Sequence, residues 1–282
     1  MAPAPLSDSF SIARRRSDSL KEVSAWERFW RLLRAACVGL YQDNCLSIAK
    51  GAAYSSLLSF FPVLTTLAAL LVQARAEAVS TTIARLLYDV VPPGTEEVVR
   101  TLFVVHGTRP KGLLIVATIL AAWAASGAMI SLMEGFHAVY HTPERSFLRE
   151  RAIAVLLVPL AAAPVLAASL LIVFSNRVIG PAGQALSFAV AFAAMVMVTA
   201  LMYYFGPNRK QAFRHVFPGA ILATLLWLLA TLAFGWYVRN IANYNVLYGS
   251  VGAGLALLVW MYVLAVIVLL GCEFNAARER RV

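Results

Sequence analysis

Charge is what this sequence has least of. Asp, Glu, Lys and Arg make up 13% of its 282 residues, where a soluble domain carries about a quarter. With 61% of residues hydrophobic and a mean hydropathy of +0.75, the chain has more apolar surface than a water-soluble core can hide, which excludes a soluble globular domain. Cysteine is scarce too. The three thiols, Cys37, Cys45 and Cys272, are odd in number and all fall on segments assigned below to the cytoplasmic side, which excludes a disulfide framework. Catalytic signatures are missing: there is no G-x-S-x-G, no phosphate-binding loop, no H-E-x-x-H and no C-x-x-C. The missing phosphate loop excludes an ATP-driven pump built from this chain alone. The four histidines, at 106, 137, 141 and 215, are scattered, so neither a metal nor a cofactor is expected.

Apolar runs are abundant. Residues 1–19 carry none and read as a disordered tail, and no cleavable signal peptide is evident. Over 20–46, Leu20, Val23, Trp26, Trp30, Leu33, Cys37 and Leu40 recur at three- and four-residue steps. Lys21, Arg28, Arg31 and Arg34 lie largely off that stripe. This is the pattern of an amphipathic helix, lying in the membrane interface or packed on the protein's own cytoplasmic face. Within 47–276 come six apolar segments, 48–73, 111–137, 152–176, 182–205, 213–238 and 247–272, each near the ~20 residues that cross a bilayer. Between the first two, residues 76–107 hold charges every few positions and two helical faces separated by "PPG". They predict an extracytoplasmic helical hairpin capping the bundle. Residues 277–282 form a basic tail. With both termini cytoplasmic, seventeen of the 24 Lys and Arg fall inside and seven outside, the bias that orients membrane proteins. The net charge of +10 is thereby a topology signal, and no nucleic-acid partner is expected. The fold class is all-α: a polytopic bundle of six transmembrane helices with an amphipathic helix before it.

Polar residues inside the spans are the candidate site. On the last helix Tyr248, Gly252, Leu255, Val259, Tyr262, Val266, Leu269 and Glu273 form one stripe, and Gly249, Gly252 and Gly254 would admit a close neighbour. The flanking Asn243 and Asn245 suit an outer interface. Glu273 sits at the inner boundary, either paired with Arg278 or a basic loop, or serving as a gate or proton-coupled group. On the second helix Trp123, Gly127, Ile130, Glu134 and His137 share a face, with Glu134 and His137 one turn apart and able to bond to each other. On the first, Ser55, Ser59, Pro62 and Thr66 lie together beside Tyr54. Pro62 frees the carbonyl of Leu58, which a nearby hydroxyl can take up. Pro159 and Pro164 predict a kink in the third helix. Pro218-Gly219 stands near the start of the fifth.

Several of these stretches together resemble the YihY/BrkB family of inner-membrane proteins. They are "AAYSSLLSFFP" at 52–62, "WAASGAMISLMEGFHAVY" at 123–140 followed by "RSFLRER", "YYFGPNRK" before "FPGAILATLLW", and the closing segment from Asn243 to Asn275. The resemblance covers residues 30–276. It implies a role in envelope integrity, serum resistance or the movement of lipid or lipopolysaccharide precursors. The family's old label, ribonuclease BN, has no support here. The reading is a non-enzymatic bacterial inner-membrane protein that transports or handles an amphipathic envelope component. Tyr54, Ser59, Pro62, Trp123, Gly127, Glu134, Tyr248, Tyr262 and Glu273 would line an internal cleft, and Arg145, Arg149, Arg209 and Lys210 would meet anionic headgroups. One alternative is an envelope assembly scaffold that binds a partner protein through the hairpin 76–107. Another is a membrane-embedded enzyme using Glu134 and His137.

Overall fold

The computed structural model describes residues 25–73, 111–160, 180–240 and 250–280. The tail 1–19, the hairpin 76–107, Pro164, Tyr248, Gly249, Asn243 and Asn245 lie outside the described residues. What is described is helical throughout: α1 (Ala25–Gln42), α2 (Cys45–Gln73), α3 (Lys111–Tyr140), α4 (147–160), α5 (Gly180–Phe205), a 3₁₀ turn at Phe213–His215, α6 (Phe217–Asn240) and α7 (Ser250–Glu279). Four helical stretches among the described residues are long and apolar enough to cross a membrane: Thr118–Tyr140, Ala185–Phe205, Phe213–Tyr237 and Gly254–Glu279. Of the other two expected spans, 48–73 falls on the continuous helix α2, and 152–176 is described only to residue 160.

The bundle is built inside out relative to a soluble protein. On α6, Ala220, Ala223 and Thr224 are buried, whereas Leu225, Leu228, Leu229, Leu232 and Trp236 are exposed. The core repeats this choice with Ala49, Ala52, Ala53, Ala154 and Ala265. Small side chains let helix backbones approach, and large apolar ones face outward, where lipid costs them nothing. Glycines carry the tightest crossings. A Cβ on Gly219 would run into the carbonyl of Gly271, and one on Gly135 into the side chain of Leu269. Gly254 has open space beside it, so it is not one of these contacts.

Each of α2 to α7 begins or ends at one shared basic end, and short connections close there. Asn44, at φ 55°, turns α1 into α2. His141, at φ 50°, ends α3 while the Thr142 N–H returns to the His137 carbonyl at 3.0 Å. Pro218 and Gly219 fall in the first turn of α6, where the missing proline N–H has no helical partner to lose; they start this helix rather than break it. Pro62 lies within an unbroken α2, and the nearby hydroxyl of Ser59 donates to Ser56 O at 3.0 Å, not to Leu58.

Helix α1 packs chiefly on α7 and lightly on α2. Its inward residues are Phe29, Ala36, Gly39 and Leu40, with the Phe29 and Phe274 rings 5.9 Å apart. Trp26, Trp30 and Cys37, expected on the apolar stripe, point outward. Ala36 and Gly39 allow the closer approach to α7, which turns the bulky indoles away.

Candidate functional site at the basic end

The last turns of α7 are the most enclosed part of the molecule: every residue from Gly271 to Ala277 is buried. Asn275 fastens α6 to α7. Its Oδ1 accepts from the Gly219 N–H at 2.8 Å and its Nδ2 donates to Val216 O at 3.0 Å. Tyr203 on α5 does the same from the other side, its hydroxyl donating to Val268 O at 2.6 Å while its ring meets Phe136 edge-on. Gln211 closes the α5–α6 connection by donating to Tyr203 O at 2.6 Å.

Glu273 is fully buried among these groups. Its carboxyl fills the space left by Gly39 of α1, where a Cβ would come within 2.5 Å of Oε2. The side chain of Asp43, in the α1–α2 turn, stands beside it, and among the described residues no N–H or hydroxyl donates to either Glu273 oxygen. Asp43 in turn lies 3.7 Å from Nη2 of Arg280 and 3.9 Å from Nε2 of His141, and Arg280 donates to Val139 O at 2.6 Å. The partners expected for Glu273 were Arg278 or a basic loop. Arg278 is exposed, and Arg280, just past the end of α7 in the basic tail, reaches the acid pair through Asp43. Glu273 thus joins α1, α3 and α7 at one point.

A second acid cluster lies between α3 and α4. His137 is buried with Nδ1 3.6 Å from Oε1 of Glu150. The bond expected between His137 and Glu134 is absent: Glu134 is exposed, and neither ring nitrogen of His137 has a hydrogen-bond partner among the described residues. One helical turn brought the two residues near, but packing of α4 drew the imidazole toward Glu150. Burial pushes the Glu150 carboxyl above its ordinary range, and the nearby Glu144 and Glu134 push it the same way.

The basic residues divide into committed and free. Arg145 donates to the carbonyls of Phe205, Gly206 and Pro207, so it caps the end of α5 instead of facing solvent. Arg209 pairs with Glu279 and stacks over the Tyr140 ring at 4.2 Å. Arg149 and Lys210 are exposed. Arg209, Lys210, Gln211, His215, Arg278 and Glu279 line a cavity of ≈ 450 Å³ at this end, floored by Asn275. Three guanidinium or ammonium groups and one carboxylate give it a positive balance.

The other sequence-selected residues are not gathered into one cleft. Ser59 is buried and Pro62, Gly127 and Tyr262 are half-buried, whereas Tyr54 and Trp123 are 60% and 56% exposed on the bundle's perimeter. On α7 the stripe is buried at Gly252, faces outward at Leu255 and Val259, is half-buried at Tyr262 and Val266, and is buried again at Leu269 and Glu273. Its mean step is 3.5 residues, so it drifts by ~20° per seven residues around a straight helix. The residues that sequence reasoning missed are Asp43, Gly39, Asn275, Glu150 and Arg280. Only Asn275 had a local signal, the closing Glu-x-Asn; the others acquire their roles from partners far along the chain.

An all-helical bundle with apolar helices of membrane-crossing length and a tightly pinned basic end defines a polytopic membrane protein. Comparison with known proteins gives the particular family: residues 36–282 match the model of the family described as Virulence factor BrkB, and the chain belongs to it. A Bacillus subtilis (strain 168) protein called "Putative ribonuclease-like protein YfkH" is 32% identical over 187 residues, 61% of this chain and 68% of that protein. A "UPF0761 membrane protein" of Aromatoleum aromaticum is 26% identical over 270 residues, 90% of this chain and 64% of the relative. Another, of Alkalilimnicola ehrlichii, is 38% identical over 86 residues, 30% of this chain and 19% of that relative. The match to the latter two covers less than two thirds of their length. No solved structure is significantly similar to the chain.

Proposed function

We propose that the chain is a bacterial inner-membrane protein with six spans and both termini cytoplasmic, and that it handles or transports an anionic amphipath of the envelope, a lipid or lipopolysaccharide precursor. The observation that carries this reading is the basic cavity at the shared helix end. Arg209 is neutralised by Glu279, which leaves Lys210 and Arg278 exposed at the cavity for an anionic headgroup. The surplus of Lys and Arg at the same end supports its cytoplasmic placement. The role is non-enzymatic: the ribonuclease-like name belongs to the Bacillus relative, and this sequence has none of the catalytic signatures sought.

The test is transbilayer movement of a labelled phosphatidylglycerol in vesicles containing the purified protein. Movement well above protein-free vesicles is expected, with a loss of about tenfold in the double variant Lys210→Gln/Arg278→Gln. Vesicles no faster than protein-free controls would remove the transport reading. A partner protein captured by the wild type but lost on deleting 76–107 would then favour the scaffold.

A further inference from the structure

A groove on the bundle's perimeter, apart from the basic cavity, holds a cation among apolar side chains. It measures ≈ 720 Å³ and is lined by Trp123 of α3 and by Phe147, Leu148, Arg151, Val155, Leu156 and Pro159 around α4. Trp123, Phe147, Leu148 and Leu156 are all more than half exposed. Among the described residues Arg151 is the only charged group lining it.

The guanidinium is held in place. Its Nη1 donates to Ser126 Oγ at 2.8 Å, and Ser126 Oγ itself donates to Trp123 O at 2.7 Å. The carbon of the guanidinium lies 4.2 Å from the centre of the Trp123 ring and 5.7 Å from that of Phe147. Among the described residues it meets no anion: none of their ion pairs includes Arg151, and none of them accepts from its buried Nε. Ser126 lies inside the apolar stretch Thr118–Tyr140, and Arg151 stands four residues into α4, about 6 Å from its start at 1.5 Å per residue, with its guanidinium reaching toward that stretch. A cation at such a place is costly unless something negative meets it. Aromatic faces fix its orientation but do not neutralise it.

We infer that this groove is a binding site for an anionic glycerophospholipid, its phosphate on Arg151 and one acyl chain along Val155, Leu156 and Pro159. A planar guanidinium presents parallel N–H donors to a phosphate, and the open apolar wall continues from it along α4. A soluble phosphate would satisfy the charge but leave the wall bare. A neutral lipid would cover the wall and leave the charge. The site stands whether or not the chain transports anything.

The test uses the full-length protein purified in a non-ionic detergent, incubated with dioleoyl phosphatidylglycerol and measured by native mass spectrometry. One lipid is expected to stay bound to the wild type. Occupancy should fall at least tenfold in Arg151→Gln and only in part in Arg151→Lys, which keeps charge but loses the planar stack. Val155→Trp fills the groove with Arg151 intact and should also lose the lipid; this variant decides the matter if Arg151→Gln does not fold. Millimolar glycerol phosphate should not displace the lipid. Wild-type retention in the folded groove variants, equal retention of phosphatidylcholine, or full displacement by glycerol phosphate would each overturn the proposal. So would loss of the lipid in the basic-cavity variant Lys210→Gln/Arg278→Gln while Arg151→Gln keeps it. That last result would place the lipid in the cavity and leave the reading of the cavity standing.

Discussion

At position 273 the chain buries an acid with no donor beyond a second acid, and that arrangement makes a specific demand. An unpaired buried carboxylate carries its full desolvation cost, whereas a neutral group of the same shape does not. Glutamine matches glutamate in size and supplies an N–H₂ that can donate to Asp43, so Glu273→Gln keeps the shape of the contact without burying a charge. Its thermal midpoint in detergent at pH 8 should equal or exceed that of the wild type. Glu273→Leu removes the contact and leaves Asp43 with only distant partners, at a cost of about 1–3 kcal/mol. A strongly destabilised Gln variant would mean that the negative charge itself, drawn by Arg280, holds the end of α7 in place. Gly39 belongs to the same argument, because its missing side chain is the room that the Glu273 carboxyl occupies.

Between elements, the decisive contacts are made by atoms that are absent. Gly219 of α6 meets the Gly271 carbonyl and the Asn275 amide of α7, and backbone cannot swing aside as a side-chain end can. Gly219→Ala should therefore push the two helices apart and break both Asn275 bonds, lowering stability by about 3 kcal/mol. A midpoint within 1 °C of wild type in detergent melting would show that the crossing is looser than drawn. The same contacts explain what could be read beforehand. The helices were legible because runs such as 182–205 are long, mostly apolar and without a charge, a property each segment carries alone. The Glu-x-Asn at 273–275 was legible as polar in an oily setting. Its partners were not: Asp43 lies in a turn 230 positions away, and Gly39 differs from any other helical glycine only by what faces it. The stripe from Gly252 to Glu273 was assigned one face, but only its last turns are enclosed by α1, so its middle turns outward. Trp123 was assigned to an interior for its place on a polar stripe, while a large amphipathic ring beside Arg151 is better accommodated at the perimeter.

For the whole molecule the open question is which way it sits, and the chain carries its own reporter. Of its three cysteines, Cys37 on α1 is exposed, whereas Cys45 and Cys272 are buried at the same basic end. Helix α1 is anchored there by Gly39, Phe29 and the Asp43 turn, so the side that Cys37 faces is the side of every connection from 141 to 146 and 206 to 216. If the Lys and Arg excess sets orientation, that side is the cytoplasm. A membrane-impermeant maleimide should then label one thiol per chain in inside-out vesicles and none in intact spheroplasts, with Cys37→Ser abolishing the signal. The unlabelled pair tests the packing in the same experiment, since Cys45 and Cys272 should react only after denaturation. Labelling of Cys37 from outside intact cells would invert the molecule, placing the basic cavity on the wrong face for a precursor made in the cytoplasm, while leaving the bundle and the Arg151 groove untouched.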